Sequence, residues 1–254
     1  MNKVCIITGG SRGIGKGIAK LFLEKGYKVA IVSKNSESLA QAKFYFDSIS
    51  LEPVFFECDI SDPKTVKETV SAIHSSFGRI DTLINSAGIS KLTLLEEDCF
   101  EEWKKQIDIN LSGTFYFSKE VFMKMKENNS GSIINISSVY GLIGGEGYSA
   151  YCASKHGVIG LTKSMALEAS KYNITVNSIC PGWVETDMFD NDMTELSDKY
   201  GIEKDDLISD ELNAIPLKKF SSVDDVAELA FWLSSDKARN MTGQALNLSG
   251  GLAV

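Results

Sequence analysis

Apolar, β-branched runs recur along the chain at "KVCIIT" (3–8), "KVAIVS" (28–33), "PVFFE" (53–57), "TLIN" (82–85), "SIINIS" (132–137), "ITVNSI" (174–179) and "QALNL" (244–248), each bounded by Gly, Pro, Asn, Asp or Ser. Runs of this kind predict strands buried on both faces of a parallel sheet. Segments of helical period lie between them: Ile14 to Lys25, Lys64 to Phe77, Gly113 to Glu127, Tyr151 to Lys171 and Val223 to Leu233. Strand followed by helix, repeated, predicts a sheet covered on both faces, either a closed (β/α)₈ barrel or an open doubly wound sheet. A glycine-rich loop straight after the first strand favours the open, Rossmann-type α/β sheet of about seven strands. No linker divides residues 1–254, so a single domain is expected.

One segment breaks the rhythm. Asp187 to Ala214 is acidic and helix-prone, and it stands between the sixth strand and the helix starting near Val223. It reads as a solvated excursion or as a lid over a site at the carboxyl ends of the strands. Met188, Phe189, Met193, Leu196, Tyr200, Leu207 and Ile208 alternate there with acids, so one face is expected to cover an apolar substrate, with Trp183 and Tyr148 near its base.

Composition narrows the function. A net charge of −8 and a sequence pI near 4.9 argue against a surface built for nucleic acid or anionic lipid, so any basic site must be small and local. Cys5, Cys58, Cys99, Cys152 and Cys180 form no C-x-x-C pair, and the histidines are His74 and His156. That spacing fits neither a disulfide framework nor a zinc site, and no metal is expected. Free thiols buried as small hydrophobes in a reducing compartment are the expectation. "VCIIT" is too short for a signal or membrane segment, which makes the cytoplasm the expected address.

"TGGSRGIG" (8–15) carries the first chemistry. Gly9 permits a tight turn, Gly13 close approach of the backbone to a ligand, and Gly15 close helix–strand packing; the helix start then offers N–H groups to a pyrophosphate. Ser11, Arg12 and Ile14 complete the loop. "CDI" after the third strand places Asp59 to accept an adenine amino group, next to Ile60. "NSAG" after the fourth supplies Asn85, Ala87 and Gly88, small residues that leave room for the nucleoside. An NAD site usually carries an acid for the ribose hydroxyls about twenty residues beyond the glycines. Here Ser33 and Lys34 stand there, so Arg12 as a forked donor and Lys34 as a point charge are assigned to a 2′-phosphate, which favours NADP(H).

Tyr151 and Lys155 lie one helical turn apart, so they share a face, and the ammonium is expected to lower the phenol. Ser138, at the end of the fifth strand, is placed to donate to a substrate oxygen, which is general acid–base work on an oriented carbonyl.

The ordered set T-G-x-x-x-G-x-G, N-x-A-G, Asn110 in "DINLSG", Ser138, Y-x-x-x-K and "PGWVET" resembles the short-chain dehydrogenase/reductase family from Lys3 to the C-terminus. The resemblance implies that Tyr151 protonates the carbonyl oxygen, Lys155 lowers its pKa and holds the nicotinamide ribose, Ser138 orients the carbonyl and Asn110 holds a relay water. Pro181, Gly182, Val184 and Thr186 are expected on the cofactor. Ser86 departs from the pattern, where members often carry a second Asn.

Within the family the chain is similar to 3-oxoacyl-(acyl carrier) reductases and aromatic polyketide ketoreductases, which implies an NADPH-dependent ketoreductase of a 3-oxoacyl thioester or polyketide-type carbonyl. A dehydrogenase of a small free secondary alcohol or ketone is the alternative, and an acidic lid rim sits better with it. An acyl carrier protein is a possible partner, although Asn129 and Tyr172 stand where carrier-using members often show arginine; Lys124, Lys126 and Lys171 lie nearby. A homotetramer is the assembly the resemblance implies.

Overall fold

The structure, a computed structural model, describes residues 2–253. Its strands are β1 (Val4–Thr8), β2 (Lys28–Ser33), β3 (Val54–Glu57), β4 (Thr82–Asn85), β5 (Gly131–Ile136), β6 (Ile174–Pro181) and β7 (Ala245–Leu248). They form one parallel sheet in the order β3-β2-β1-β4-β5-β6-β7. The order reverses between β1 and β4, and in such a sheet the ligand crevice opens at the carboxyl ends beside that reversal.

Period-two alternation splits the core into two layers. Cys5 and Ile7 of β1 face helices α1 (Gly13–Glu24), α2 (Ser36–Ser48) and α9 (Val223–Ser234), whereas Ile6 faces α3 (Pro63–Phe77), α5 (Thr114–Glu127) and α6 (Ser149–Ala169). In the first layer, fully buried Phe22 of α1 meets Phe231 of α9 edge to face at 5.5 Å between ring centroids. Truncating such a ring to alanine costs about 3–5 kcal/mol. In the second layer Phe117, Val121 and Met125 of α5 seal β4 and β5.

Two helices are absent from the sequence reading, α2 and α4 (Phe100–Ile107). Helix α2 buries only Leu39, Ala42 and Phe46, and α4 buries only Gln106, so neither shows a broad apolar stripe.

The acidic segment folds as α7 (Asp187–Tyr200) and α8 (Lys204–Ala214). Thr186 caps α7 by accepting from the Phe189 N–H, and Gly201 ends it in the left-handed region at φ +64°. Met193 is fully buried and anchors the lid. Ion pairs from Lys91 to Glu195 (2.6 Å) and from Lys199 to Glu97 (2.5 Å) join it to the segment between β4 and α4. The expected apolar face is only partly formed: Met188 and Tyr200 are exposed, and α8 has no buried residue. Conversely Asp192, expected on the acidic rim, is buried.

The thiols also differ from expectation. Cys5, Cys58 and Cys180 are buried, but Cys99 and Cys152 are half-exposed. Among the described residues no helix is long and apolar enough to cross a membrane.

Candidate active site

A cavity of about 620 Å³ runs across the carboxyl ends of β1, β2, β4, β5 and β6, beneath α7. At one end lies the glycine turn. Gly9 sits at φ +68°, and a Cβ there would stand 2.7 Å from Ala87 Cα; at Gly15 it would stand 2.4 Å from the Gly9 carbonyl oxygen. Both positions thus exclude any side chain. Helix α1 starts behind Arg12 with no side-chain cap and no acid in its first turn. Its free N–H groups and dipole favour an anion, so the turn fits a pyrophosphate.

Beyond the turn, the hydroxyls of Ser11, Ser33 and Ser38 lie 3.1–3.3 Å from one another. No carboxylate stands among them, and Arg12 is exposed with no ion pair among the described residues. Three hydroxyls and a free guanidinium suit a phosphate ester. Ser38 escaped the sequence reading because it enters from α2, itself unforeseen.

Two assignments meet unexpectedly. The Lys34 ammonium lies 2.6 Å from Asp59 Oδ2, and Asp59 Oδ1 accepts from the Ser61 N–H and hydroxyl at 3.0 and 2.6 Å. Burial raises the Asp59 carboxyl, but the hydrogen bonds from Lys34 and Ser61 outweigh it and hold the group below its ordinary range. The acid expected on adenine and the cation expected on phosphate are therefore each other's partner. Asn85 likewise turns away from the cavity: its amide donates to Ser118 and Asn135, both at 2.8 Å, in the buried layer between β4 and β5. The other cofactor positions, from Ile60 through Ala87 and Gly88 to Pro181, Gly182, Val184 and Thr186, line the cavity.

At the far end Ser138, Tyr151 and Lys155 line one wall. Ser138 leaves β5 and accepts from the Tyr140 N–H at 3.2 Å. Burial raises the Tyr151 phenol, with a hydrogen bond to Ser138 acting in the opposite direction. Lys155 is buried, its ammonium donates to the Ile136 carbonyl at 2.9 Å, and it stands 5.4 Å from the Tyr151 ring centroid. Desolvation brings it down to about 8. The expected lowering of the phenol by Lys155 is thus absent here. Desolvation sets the direction of the Tyr151 shift, the Lys155 ammonium being engaged with the Ile136 carbonyl, and the phenol stays protonated.

Asn110 is buried outside the cavity lining, in a π-turn, Asp108–Gly113, that joins α4 to α5. Its Oδ1 accepts from the Ile89 N–H at 2.9 Å, and its Nδ2 donates to the Ile89 carbonyl at 2.9 Å and to Ser154 Oγ at 3.1 Å. The side chain expected to hold a water is committed to the strand-end loop. It positions Gly88, where a Cβ would stand 3.3 Å from Asn110 Oδ1 and 3.5 Å from Lys155 Nζ. Extra-residue π-turns recur at functional sites for this kind of re-aiming.

An aromatic wall completes the substrate end. Tyr140 packs on Tyr148 (5.3 Å), Tyr151 (6.4 Å) and Trp183 (6.2 Å), and Phe189 of the lid packs on Trp183 at 5.7 Å. Trp183 Nε1 donates to Glu211 of α8 at 2.7 Å, fixing the indole to the lid. Tyr140 was legible as the residue two beyond Ser138; Ser90 and Asp192, which also line this end, carried no signal in the sequence.

On the outer surface the ends of α5 and α6 come together. The Lys126 and Lys171 ammonium groups lie 4.9 and 5.3 Å from the Tyr172 ring centroid, and Asn129 ends α5 at φ +49°.

Residues 3–197 match the family model described as short chain dehydrogenase. A 3-oxoacyl-[acyl-carrier-protein] reductase of Staphylococcus epidermidis is 39% identical over 253 residues, covering 99% of each chain. Among solved structures, a variant of actinorhodin polyketide ketoreductase with NADPH is 32% identical, with a TM-score of 0.95 over 99% of this chain and 97% of the other. A ligand-free aldohexose dehydrogenase of Thermoplasma acidophilum is 33% identical, with a TM-score of 0.87 over 99% of this chain and 94% of the other.

Proposed function

Since the chain belongs to the short-chain dehydrogenase family and is an NAD(P)-dependent oxidoreductase, we propose that it reduces, with NADPH, the ketone of a 3-oxoacyl thioester or polyketide-type chain. The observation that carries this reading is the two-ended cavity: a glycine turn, three serine hydroxyls and Arg12 at one end, and Ser138, Tyr151 and Lys155 at the other. Bound NADPH supplies the hydride. Tyr151, kept protonated by its burial, donates the proton to the carbonyl oxygen, and Ser138 hydrogen-bonds the same oxygen and orients it. Lys155 holds the cofactor ribose, and Asn110 keeps the Gly88–Ile89 segment, and with it Lys155, in place.

The substrate class rests on the relatives that bear 3-oxoacyl reductase and polyketide ketoreductase names. An acyl carrier protein fits the Lys126–Tyr172–Lys171 cluster, whose two ammonium groups suit an acidic partner. The assembly we propose is a homotetramer, for which light scattering should give four times the 27.8 kDa chain mass. A second reading, reduction of a free ketone, is favoured by the acids at the substrate end, Asp192, Glu195 and Glu211. Steady-state kinetics with NADPH and NADH, on a panel of 3-oxoacyl thioesters and free ketones, tests both. NADPH with thioesters should give the highest kcat/KM; inert thioesters beside an active free ketone would move the assignment to the second reading.

A further inference from the structure

Three polar side chains from three separate elements line the substrate end of the cavity: Ser90 in the loop after β4, Tyr148 just ahead of α6, and Asp192 in the lid helix α7. Tyr148 is 3% exposed and Asp192 6%. The Tyr148 hydroxyl and Ser90 Oγ are buried and make no hydrogen bond of good geometry with any described residue. Asp192 forms no ion pair among the described residues, and its neighbours Glu195 and Lys91 are paired with each other at 2.6 Å. Burial first, then the Glu195 charge, bring its carboxyl up to about 7, against a loose hydrogen bond from Ser90 and the Lys91 charge. After burial, the Asp192 charge is also the largest influence on Tyr148.

An unsatisfied buried polar group costs about 1–3 kcal/mol, whereas leucine and phenylalanine at these places would continue the wall of Tyr140, Trp183 and Phe189. Two such hydroxyls beside a buried carboxylate, all facing one space, with donors and acceptors both represented, match a ligand group that can donate and accept. A hydroxyl does so: it donates to the Asp192 carboxylate and accepts from Tyr148 or Ser90. A carboxylate or phosphate is disfavoured beside Asp192 and Glu195.

We propose that Asp192, Tyr148 and Ser90 form a specificity subsite for a second hydroxyl of the substrate, an alcohol or the enol of a 1,3-dicarbonyl, held beside the carbonyl that Tyr151 protonates. This rests on the carbonyl-reduction reading and adds a recognition element to it.

The test compares 4-hydroxy-2-butanone with 2-butanone as substrates, and 1,3-butanediol with 2-butanol as calorimetric ligands of the NADP-loaded protein. The parent protein should favour the hydroxylated member of each pair by at least about tenfold. Asp192→Leu and the isosteric Tyr148→Phe should collapse that ratio whatever they do to kcat/KM for 2-butanone itself, and Asp192→Asn, which keeps hydrogen-bonding capacity, should retain part of it. No preference in the parent, or a ratio unchanged in both Asp192→Leu and Tyr148→Phe, would overturn the subsite. If neither these ketones nor any 3-oxoacyl thioester of the panel turned over but the binding preference appeared and collapsed as described, the subsite would stand and the carbonyl-reduction reading would fall.

Discussion

Lys34 and Asp59 neutralise one another across the ends of β2 and β3, with 2.6 Å between ammonium and carboxylate. Arg12, one turn away in the glycine loop, is left as the cation without a partner among the described residues. Arg12→Ala should therefore raise KM for NADPH by at least about tenfold and leave that for NADH within about twofold. Lys34→Ala, which removes a cation already engaged, should affect NADPH less. Cofactor titrations of both variants against both nucleotides check the ranking.

Tyr151→Phe removes the donor proton and keeps the ring packed against Tyr140. Turnover should fall by about 10²–10⁴-fold. NADPH affinity, read from cofactor fluorescence, should stay within a few-fold of the parent value. Turnover equal to that of the parent would remove Tyr151 from the chemistry.

Lys155 trades stability for activity. Its ammonium ordinarily titrates near 10.5 but is brought down to about 8 in the fold. Stability is therefore fully present above about pH 10.5 and is lost as pH falls towards 8, below which the deficit is constant. Lys155→Met should abolish turnover yet stabilise the cofactor-free protein by on the order of 2–3 kcal/mol at pH 7. Thermal melts of both proteins from pH 6 to 10.5 should show the gain shrinking as pH rises.

Asp192 has the opposite sign. A carboxyl raised from 3.8 to about 7 costs nothing at pH 3–4, and stability is lost as pH rises through 7. Asp192→Asn should melt near the parent temperature around pH 4 and above it at pH 8, by on the order of 2–4 kcal/mol.

The carrier surface has its own readout. Lys126→Glu with Lys171→Glu reverses both charges around Tyr172. KM for a carrier-bound 3-oxoacyl substrate should rise at least about fivefold and become less salt-dependent, while KM for the same acyl group on a short thiol stays unchanged. Equal changes in both would remove the cluster from carrier docking.

The inner strands were legible because a strand buried on both faces must be apolar along its length, and the edge strands β3 and β7, only partly covered, because short apolar runs there are flanked by Pro, Gly, Asn or Ser. The glycine turn and the Tyr151–Lys155 pair were legible because their spacing is the geometry. Asp192 was not. In "DMFDNDMTEL" nothing separates the acid that is buried from Asp187 and Asp190, which stay in solvent; only docking of α7 through Met193 decides it. The Lys34–Asp59 pair was hidden for a similar reason, since it depends on β3 lying beside β2. The direction of the Tyr151 shift depends on burial, which spacing does not report.

The π-turn at Asp108–Gly113 gives this chain a sensitivity to length rather than to residue type. Losing one residue there would close the bulge so that α4 runs into α5 as regular α-helix, drawing Asn110 off Ile89. Such a deletion would yield a helix of better hydrogen-bond geometry and an enzyme with its strand-end loop unclamped. Function here therefore constrains the reading frame of a helix by a single residue, a constraint that substitution scanning alone would pass over.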